Sequence, residues 1–100
     1  MAGGALRDGL PSPVDYFALR VAAGGGGVAT EAARRALAGS LFGIVAEEAD
    51  GALAGCGRVV GDGALNLYLQ DVIVREDLRG RGLGARLAGA LTERAMARLA

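Results

Sequence analysis

The sequence predicts a small α/β domain in which a mostly antiparallel sheet is flanked by helices. Three observations support this fold class. Two helix-like segments come first, three strand-like segments joined by short turns follow, and a glycine-rich loop then opens a long helix. Strands joined by short links pair antiparallel, so the three strands form a meander. One hundred residues allow one domain with a small core.

The first predicted helix starts at residues 12–15, Ser-Pro-Val-Asp. Ser12 is its N-cap, the proline is its first helical residue, and Asp15 is the reciprocal acid of a capping box. The helix runs to about Ala23, where four consecutive glycines end it. Its predicted apolar face consists of Val14, Phe17, Ala18 and Val21.

A second helix and a weak first strand complete the N-terminal part. Thr30 is the predicted N-cap of a short helix that runs through Ala38. Before the first helix, Ala5–Leu10 is a weak strand candidate. We therefore expect residues 1–11 to form a tail or a weak first strand, and residues 12–100 to form the domain.

Three strands follow, at Leu41–Ala46, Ala52–Val60 and Ala64–Val74. The turn Asp62-Gly63 is a good hairpin signal between the second and the third. The outer edge of the third strand has no later strand to pair with, so it is predicted to be open. Alternation along this strand puts Tyr68, Gln70, Val72 and Val74 on one face and Leu69, Asp71 and Ile73 on the other.

The composition excludes several functions. Eleven arginines balance eleven acidic residues, so we expect no nucleic-acid partner. The absence of lysine excludes a Walker A loop and a pyridoxal Schiff base, and histidine, the usual general base and metal ligand, is also absent. Cys56 is the single cysteine and no apolar run spans a membrane, so we expect a cytoplasmic protein with no membrane partner. The Ala, Gly and Arg bias is typical of a GC-rich bacterial genome.

The most informative motif is the glycine loop at residues 79–84, Arg-Gly-Arg-Gly-Leu-Gly. Glycines let a ligand approach the main chain closely, and N–H groups at a helix N-terminus form a positive nest that suits phosphate. Arg79 and Arg81 add charge where a diphosphate would lie. The helix that follows carries apolar residues every four positions, at Leu83, Leu87, Leu91, Ala95 and Leu99. The loop therefore predicts an anion site, best suited to the pyrophosphate of a cofactor.

Two other interpretations of the loop stay open on these residues alone. One is a solvent-exposed turn at a helix start. The other is a dinucleotide fingerprint, because Gly80-x-Gly82-x-x-Ala85 fits that pattern. That fingerprint follows its strand almost directly within a βαβ unit, whereas here a charged five-residue loop intervenes.

Residues 72–84 resemble the acyl-CoA-binding signature of the GNAT superfamily of N-acetyltransferases. In that signature a strand with alternating valines leads through a short loop into a helix, and Arg79, Gly82 and Gly84 match its three fixed positions. The earlier strands and helices are also similar, so residues 12–100 resemble a partial GNAT domain. Family members continue with further strands and a helix, so the resemblance implies a chain truncated on its C-terminal side.

The resemblance implies transfer of an acetyl group from acetyl-CoA to a primary amine of a small molecule or peptide, by direct attack and without a metal. Pantetheine would pair with the main chain of the strand, and the acetyl carbonyl would point to an N–H near Val72. The implied cofactor-binding residues are Val72, Ile73, Val74, Arg79, Gly80, Arg81, Gly82, Leu83, Gly84 and Ala85.

Asp71 is the candidate catalytic residue, as a carboxylate that orders a water to deprotonate the acceptor. The alternative for Asp71 is a hydrogen-bonded strand carboxylate without a catalytic role. The implied truncation also leaves an alternative function, a non-catalytic acyl-CoA-binding or interaction module. The open edge of the third strand predicts self-association.

Overall fold

The computed structural model describes residues 4–99 and contains one four-stranded sheet with three helices. All neighbouring strands pair antiparallel, in the order β1-β2-β3-β4. The predicted α/β class is confirmed, while residues 1–3 of the predicted tail lie outside the described part. The elements are β1 (Ala5–Asp8), α1 (Pro13–Ala22), α2 (Thr30–Ala38), β2 (Phe42–Glu47), β3 (Leu53–Gly61), β4 (Leu67–Val74), a 3₁₀ turn (Glu76–Leu78) and α3 (Leu83–Leu99).

The sheet has a buried core on each face. On one face, the core between α3 and the sheet includes Ile44 and Val59 from the strands and Leu87 and Leu91 from α3. On the other face, α1 and α2 cover a group that includes Tyr16, Leu19, Leu37, Val45 and Cys56. A sheet covered on both faces has strands without a polar face, and residues 43–46 of β2 are accordingly all buried. None of the helices described within residues 4–99 is long and apolar enough to span a membrane.

Two glycines of β3 let α3 lie close to the sheet. A Cβ on Gly57 would collide with Cδ1 of Leu91 and would lie 2.9 Å from the main-chain oxygen of Asp71. A Cβ on Gly55 would lie 3.2 Å from Cδ1 of Leu87. Leucines of α3 therefore pack directly on the backbone of β3, which sets the distance between the helix and the sheet.

The helix starts are partly as predicted. The Oγ of Ser12 accepts a hydrogen bond from the N–H of Asp15 at 3.1 Å, which confirms the first N-cap. Thr30 as an N-cap is wrong, because it is the first helical residue and follows Ala29 without a side-chain cap. Leu99, predicted on the apolar stripe of α3, is 46% exposed at the end of the helix.

The apolar face predicted for α1 is also wrong. Val14, Phe17 and Val21 are 69%, 43% and 51% exposed, and Ala18 is exposed as well. The buried residues of α1 are Tyr16 and Leu19. The hydroxyl of Tyr16 has an acceptor on the sheet, so this polar aromatic residue is buried at little cost.

β4 contains a β-bulge at Gln70, which changes the predicted alternation. Asp71 and Leu69 pair with successive residues of β3, so Gln70 between them has no partner on that strand. The β3 partner of Leu69 is Val59, which belongs to the core beneath α3. One extra residue in a strand reverses the face on which each side chain beyond it lies. Leu69 therefore lies on the α3 face with Val72, and not with Asp71 as the alternation predicted.

The turn between β3 and β4 is organised by Asp62. Its Oδ1 accepts the N–H groups of Ala64, Leu65 and Asn66, each at 2.9 Å. These bonds, with the N–H of Asn66 contributing most, hold the pKa of the Asp62 carboxyl well below its usual range. The carboxylate form is thus part of the folded turn.

Candidate functional site

The outer edge of β4 is open in the sheet described for residues 4–99. The N–H of Arg75 donates to the carbonyl of Ala54 at 3.0 Å, which shows that Arg75 faces β3. Main-chain groups of successive strand residues point to opposite edges, so those of Ile73 also face β3. The N–H and C=O groups of Val72 and Val74 therefore face the open edge.

The glycine loop brings a second set of main-chain donors beside this edge. The first hydrogen bond of α3 runs from the N–H of Arg86 to the carbonyl of Gly82 at 3.0 Å. The N–H groups of Gly82, Leu83, Gly84 and Ala85 precede it, so no helix carbonyl accepts them. They carry the positive end of the helix dipole.

Gly82 has a backbone conformation that suits an approach from outside. Its φ is +80°, in the left-handed region that favours glycine. A Cβ at this position would have no atom within 4 Å, so the main chain here borders open space. The loop has room for an anion of the size of a phosphate group.

One cleft of about 490 Å³ joins the edge of β4 to the glycine loop. The predicted binding residues are brought together here, except that Arg81 and Ala85 are not among the lining residues. The residues that line the cleft are Arg20, Ala23, Gly25, Val72, Ile73, Val74, Leu78, Arg79, Gly80, Gly82, Leu83 and Gly84.

Three lining residues were not predicted from the sequence: Arg20 near the C-terminal end of α1, Ala23 directly after it, and Leu78 in the 3₁₀ turn. The guanidinium of Arg79 donates to the carbonyl of Ala23, which fastens the glycine loop to the end of α1. The run of four glycines after α1 was the available signal, because it allows the chain to turn back across the sheet edge.

Both ionisable side chains that line the cleft, in the part of the chain described, are arginines. Arg20 and Arg79 carry positive charge, so they favour an anionic ligand. Nε of Arg20 donates to the carbonyl of Gly26 at 3.3 Å, and Cζ of Arg20 lies 5.8 Å from the centre of the Tyr16 ring. The main-chain N–H of Arg79 is already used, since it donates to the carbonyl of Glu76 at 3.3 Å.

Asp71 is directed away from the cleft, toward α1. Its Oδ2 accepts the hydroxyl of Tyr16 at 2.6 Å and Nε of Arg58 at 2.5 Å. The side chains of Asp71 and Arg58 are each 13% exposed. Burial, and then the hydrogen bond to Asp71, raises the pKa of Tyr16. A role for Asp71 as a base stays a prediction, and its contacts favour the hydrogen-bonded strand carboxylate.

Cys56 is buried in β3, on the face covered by α1 and α2. Burial, and next the negative charge of Asp71, raises the pKa of its thiol to about 12. The thiolate is the nucleophilic form of cysteine, so this side chain is inert at neutral pH.

The matching sequence family agrees with this geometry. Residues 15–100 match the sequence model of the Acetyltransferase (GNAT) family. The chain belongs to this family. The resemblance seen in the glycine loop is thereby confirmed. No curated protein matches the chain at a significant level.

Solved structures of GNAT proteins share the fold. The chain is 27% identical to a probable acetyltransferase from meticillin-resistant Staphylococcus aureus, with a TM-score of 0.87 over 96% of this chain and 71% of that one. A GNAT family protein from Streptococcus pneumoniae is 26% identical, with a TM-score of 0.78 over 95% and 69%. A GNAT N-acetyltransferase from Escherichia coli, solved in complex with CoA, shares the fold at 17% identity, with a TM-score of 0.70 over 95% and 57%.

Proposed function

We propose that the cleft binds acetyl-CoA and that the protein transfers the acetyl group to a primary amine of a small molecule or peptide. The observation that carries the proposal is the single cleft that joins an open strand edge to the free N–H groups of a helix. An extended pantetheine arm needs the first feature and a pyrophosphate needs the second. The GNAT structure from Escherichia coli that contains CoA supports the same ligand class.

Different groups of the chain bind different parts of acetyl-CoA in this proposal. The C=O of Val72 and the N–H and C=O of Val74 pair with the amides of pantetheine, as a neighbouring strand would. The N–H groups of Gly82–Ala85 bind the pyrophosphate, and Arg20 and Arg79 add positive charge. These contacts fix the thioester beside the open edge of β4.

The acetyl transfer is proposed to be a direct attack. The N–H of Val72 donates to the acetyl oxygen and stabilises the negative charge that develops as the amine attacks the carbonyl carbon. The carbon–sulfur bond then breaks and the thiolate of coenzyme A leaves. Cys56 takes no part, because its thiol is buried and protonated. Its buried, free thiol also fits the cytoplasmic location that we propose.

A non-catalytic acyl-CoA-binding module is the second candidate. It is favoured by the side chains of the cleft, since the ionisable ones described there are two arginines that cannot take up a proton. The attacking nitrogen must lose a proton during the transfer. In this arrangement the proton passes to water or to the departing thiolate of coenzyme A. Turnover separates the two candidates.

Calorimetry of the 100-residue chain with acetyl-CoA, and separately with NAD, tests the ligand. We expect heat of binding with acetyl-CoA and none with NAD, because the loop is one diphosphate nest beside a strand edge. Binding of NAD without binding of acetyl-CoA would contradict the proposal. Release of free thiol from acetyl-CoA in the presence of mixed primary amines then identifies an enzyme, and binding without thiol release identifies the module.

A further inference from the structure

Tyr16, Asp71 and Arg58 form a polar cluster beneath α1, which we call the Tyr16–Asp71–Arg58 cluster. One oxygen of Asp71 accepts both Tyr16 and Arg58, at 2.6 and 2.5 Å. Tyr16 is only 3% exposed. Arg58 reaches further, since its NH1 lies 3.3 Å from Oγ of Ser40 and 3.4 Å from the carbonyl of Ala36. The cluster thus connects α1, β3 and β4 with the C-terminal end of α2.

The cluster lies at the irregular point of β4. Asp71 directly follows the bulged Gln70, and the pairing of β4 with β3 becomes regular again at Asp71 and Arg58. Val72, the next residue, is the first to present its main chain to the cleft. The position of the bulge therefore decides which residues of β4 face the open edge.

A shift of the register by one residue would reverse this arrangement. The main-chain groups of Val72 would then face β3, and those of Ile73 would face the cleft. The carboxylate of Asp71 would move to the face beneath α3 and would lose both of its partners, Arg58 and Tyr16. Burial of an unpaired carboxylate is costly, so the ion pair with Arg58 selects the observed register.

We infer that the Tyr16–Asp71–Arg58 cluster is a positioning device, which holds the bulge so that Val72 and Val74 present their main chain to the cleft. Asp71 is then a positioning residue and not a base. The effect on a ligand rests on the proposed function, whereas the effect on the register does not. Tyr16 has a part in this because its hydroxyl fixes the orientation of the carboxylate from the α1 side.

The test uses Tyr16→Phe, which removes one donor to Asp71 and keeps the ring. Tyr68→Phe is the matched control, because it removes the same hydroxyl group. Tyr68 lies within β4, whereas Tyr16 packs against it, and Tyr68 is 59% exposed. In the ligand-free chain we expect the amide NMR signals of Val72 and Val74 to shift in Tyr16→Phe and to stay in place in Tyr68→Phe. We expect the Kd for acetyl-CoA to rise about fivefold in Tyr16→Phe only.

A stability control separates positioning from general loosening of the fold. Leu6→Ala truncates a half-buried residue of β1, at the opposite edge of the sheet from β4 and outside the core group of Tyr16, and it is expected to lower Tm without changing the Kd. An equal rise of the Kd in Leu6→Ala would overturn the inference, as would unchanged amide signals in Tyr16→Phe. If the unaltered chain does not bind acetyl-CoA, the proposed function fails, and the amide signals still decide the inference about the register.

A base role for Asp71 gives a different result. Asp71→Asn would then abolish thiol release while the amide signals of Val72 and the Kd for acetyl-CoA stayed unchanged. That combination would overturn the positioning role. Positioning predicts that Asp71→Asn shifts the same amide signals as Tyr16→Phe and raises the Kd by at least as much.

Discussion

Gly82→Val tests two requirements at this position, which are a left-handed backbone and open space for a phosphate group. In the ligand-free chain the cost is backbone strain, because φ of Gly82 is +80° and a Cβ would have no atom within 4 Å. A left-handed conformation costs an L-residue about 1–2 kcal/mol, and a β-branched residue lies at the upper end. We expect a modest loss of stability and a chain that still folds.

The effect on acetyl-CoA binding is expected to be much larger. A phosphate oxygen must come within about 2.9 Å of the loop N–H groups to accept from them. The valine methyl groups would fill the open space on this side of Gly82. Loss of two hydrogen bonds to a charged group, each worth about 1.5–3 kcal/mol, amounts to about 3–6 kcal/mol, or a Kd raised more than a hundredfold.

Gly51→Val is the matched control for strain. Gly51 lies in the turn between β2 and β3, has a φ of +89°, and likewise has no atom within 4 Å of an added Cβ. Thermal melts are expected to show similar losses of Tm in both variants, and calorimetry is expected to show acetyl-CoA binding only in Gly51→Val. If Gly82→Val binds acetyl-CoA within threefold of Gly51→Val, the loop does not hold the phosphates.

Four further predictions concern the charge, the thiol, the β3–β4 turn and the open edge. Arg79→Ala is expected to raise the Kd for acetyl-CoA about tenfold, and an unchanged value in calorimetry would remove its guanidinium from the site. Cys56→Ala is expected to keep its thiol-release activity, whereas loss of turnover in a folded variant, with an acetyl-thioester found on the unaltered chain by mass spectrometry, would indicate a covalent route. The lowered pKa of Asp62 means that its carboxylate stabilises the fold above the unfolded pKa of about 3.9, and that this contribution is lost as the pH falls toward the folded pKa. Asp62→Ala is therefore expected to lower Tm at pH 7 and progressively less below pH 4, and a difference in Tm that stays constant with pH would contradict this assignment. Size-exclusion chromatography with light scattering is expected to show self-association of the chain through β4, and a monomer at all concentrations would exclude it.

The order of elements could be predicted because local signals specify it. Ser12 and Asp15 mark the start of α1 by chemistry that acts within four residues, and the short links between the strands leave an antiparallel meander as the simple pairing. The glycine loop is equally local, because its residues make the helix start and the anion nest at once. Most of the candidate cleft therefore follows from the sequence of β4 and the loop.

The parts that were missed depend on distant partners. Tyr16 is buried because it meets Asp71, which lies 55 positions further along the chain, so hydrophobicity alone favoured the opposite face of α1. The bulge at Gln70 depends on how β4 pairs with β3 and leaves no mark in the strand's own composition. Arg20 lines the cleft because the end of α1 lies beside the sheet edge, and the four glycines after α1 indicate a turn there but not which side chains reach the cleft.

The close packing of α3 on β3 limits how the sequence of this strand can diverge. A methyl group at position 57 would collide with the side chain at position 91 and would also crowd the main chain of β4. A smaller residue at 91 relieves the first contact but not the second. Since α3 begins at the glycine loop and β4 carries Val72, the remaining displacement would alter the width of the cleft between them. Homologues that bind the same ligand are therefore expected to retain glycine at position 57 where neighbouring β3 positions vary, although this residue does not line the cleft.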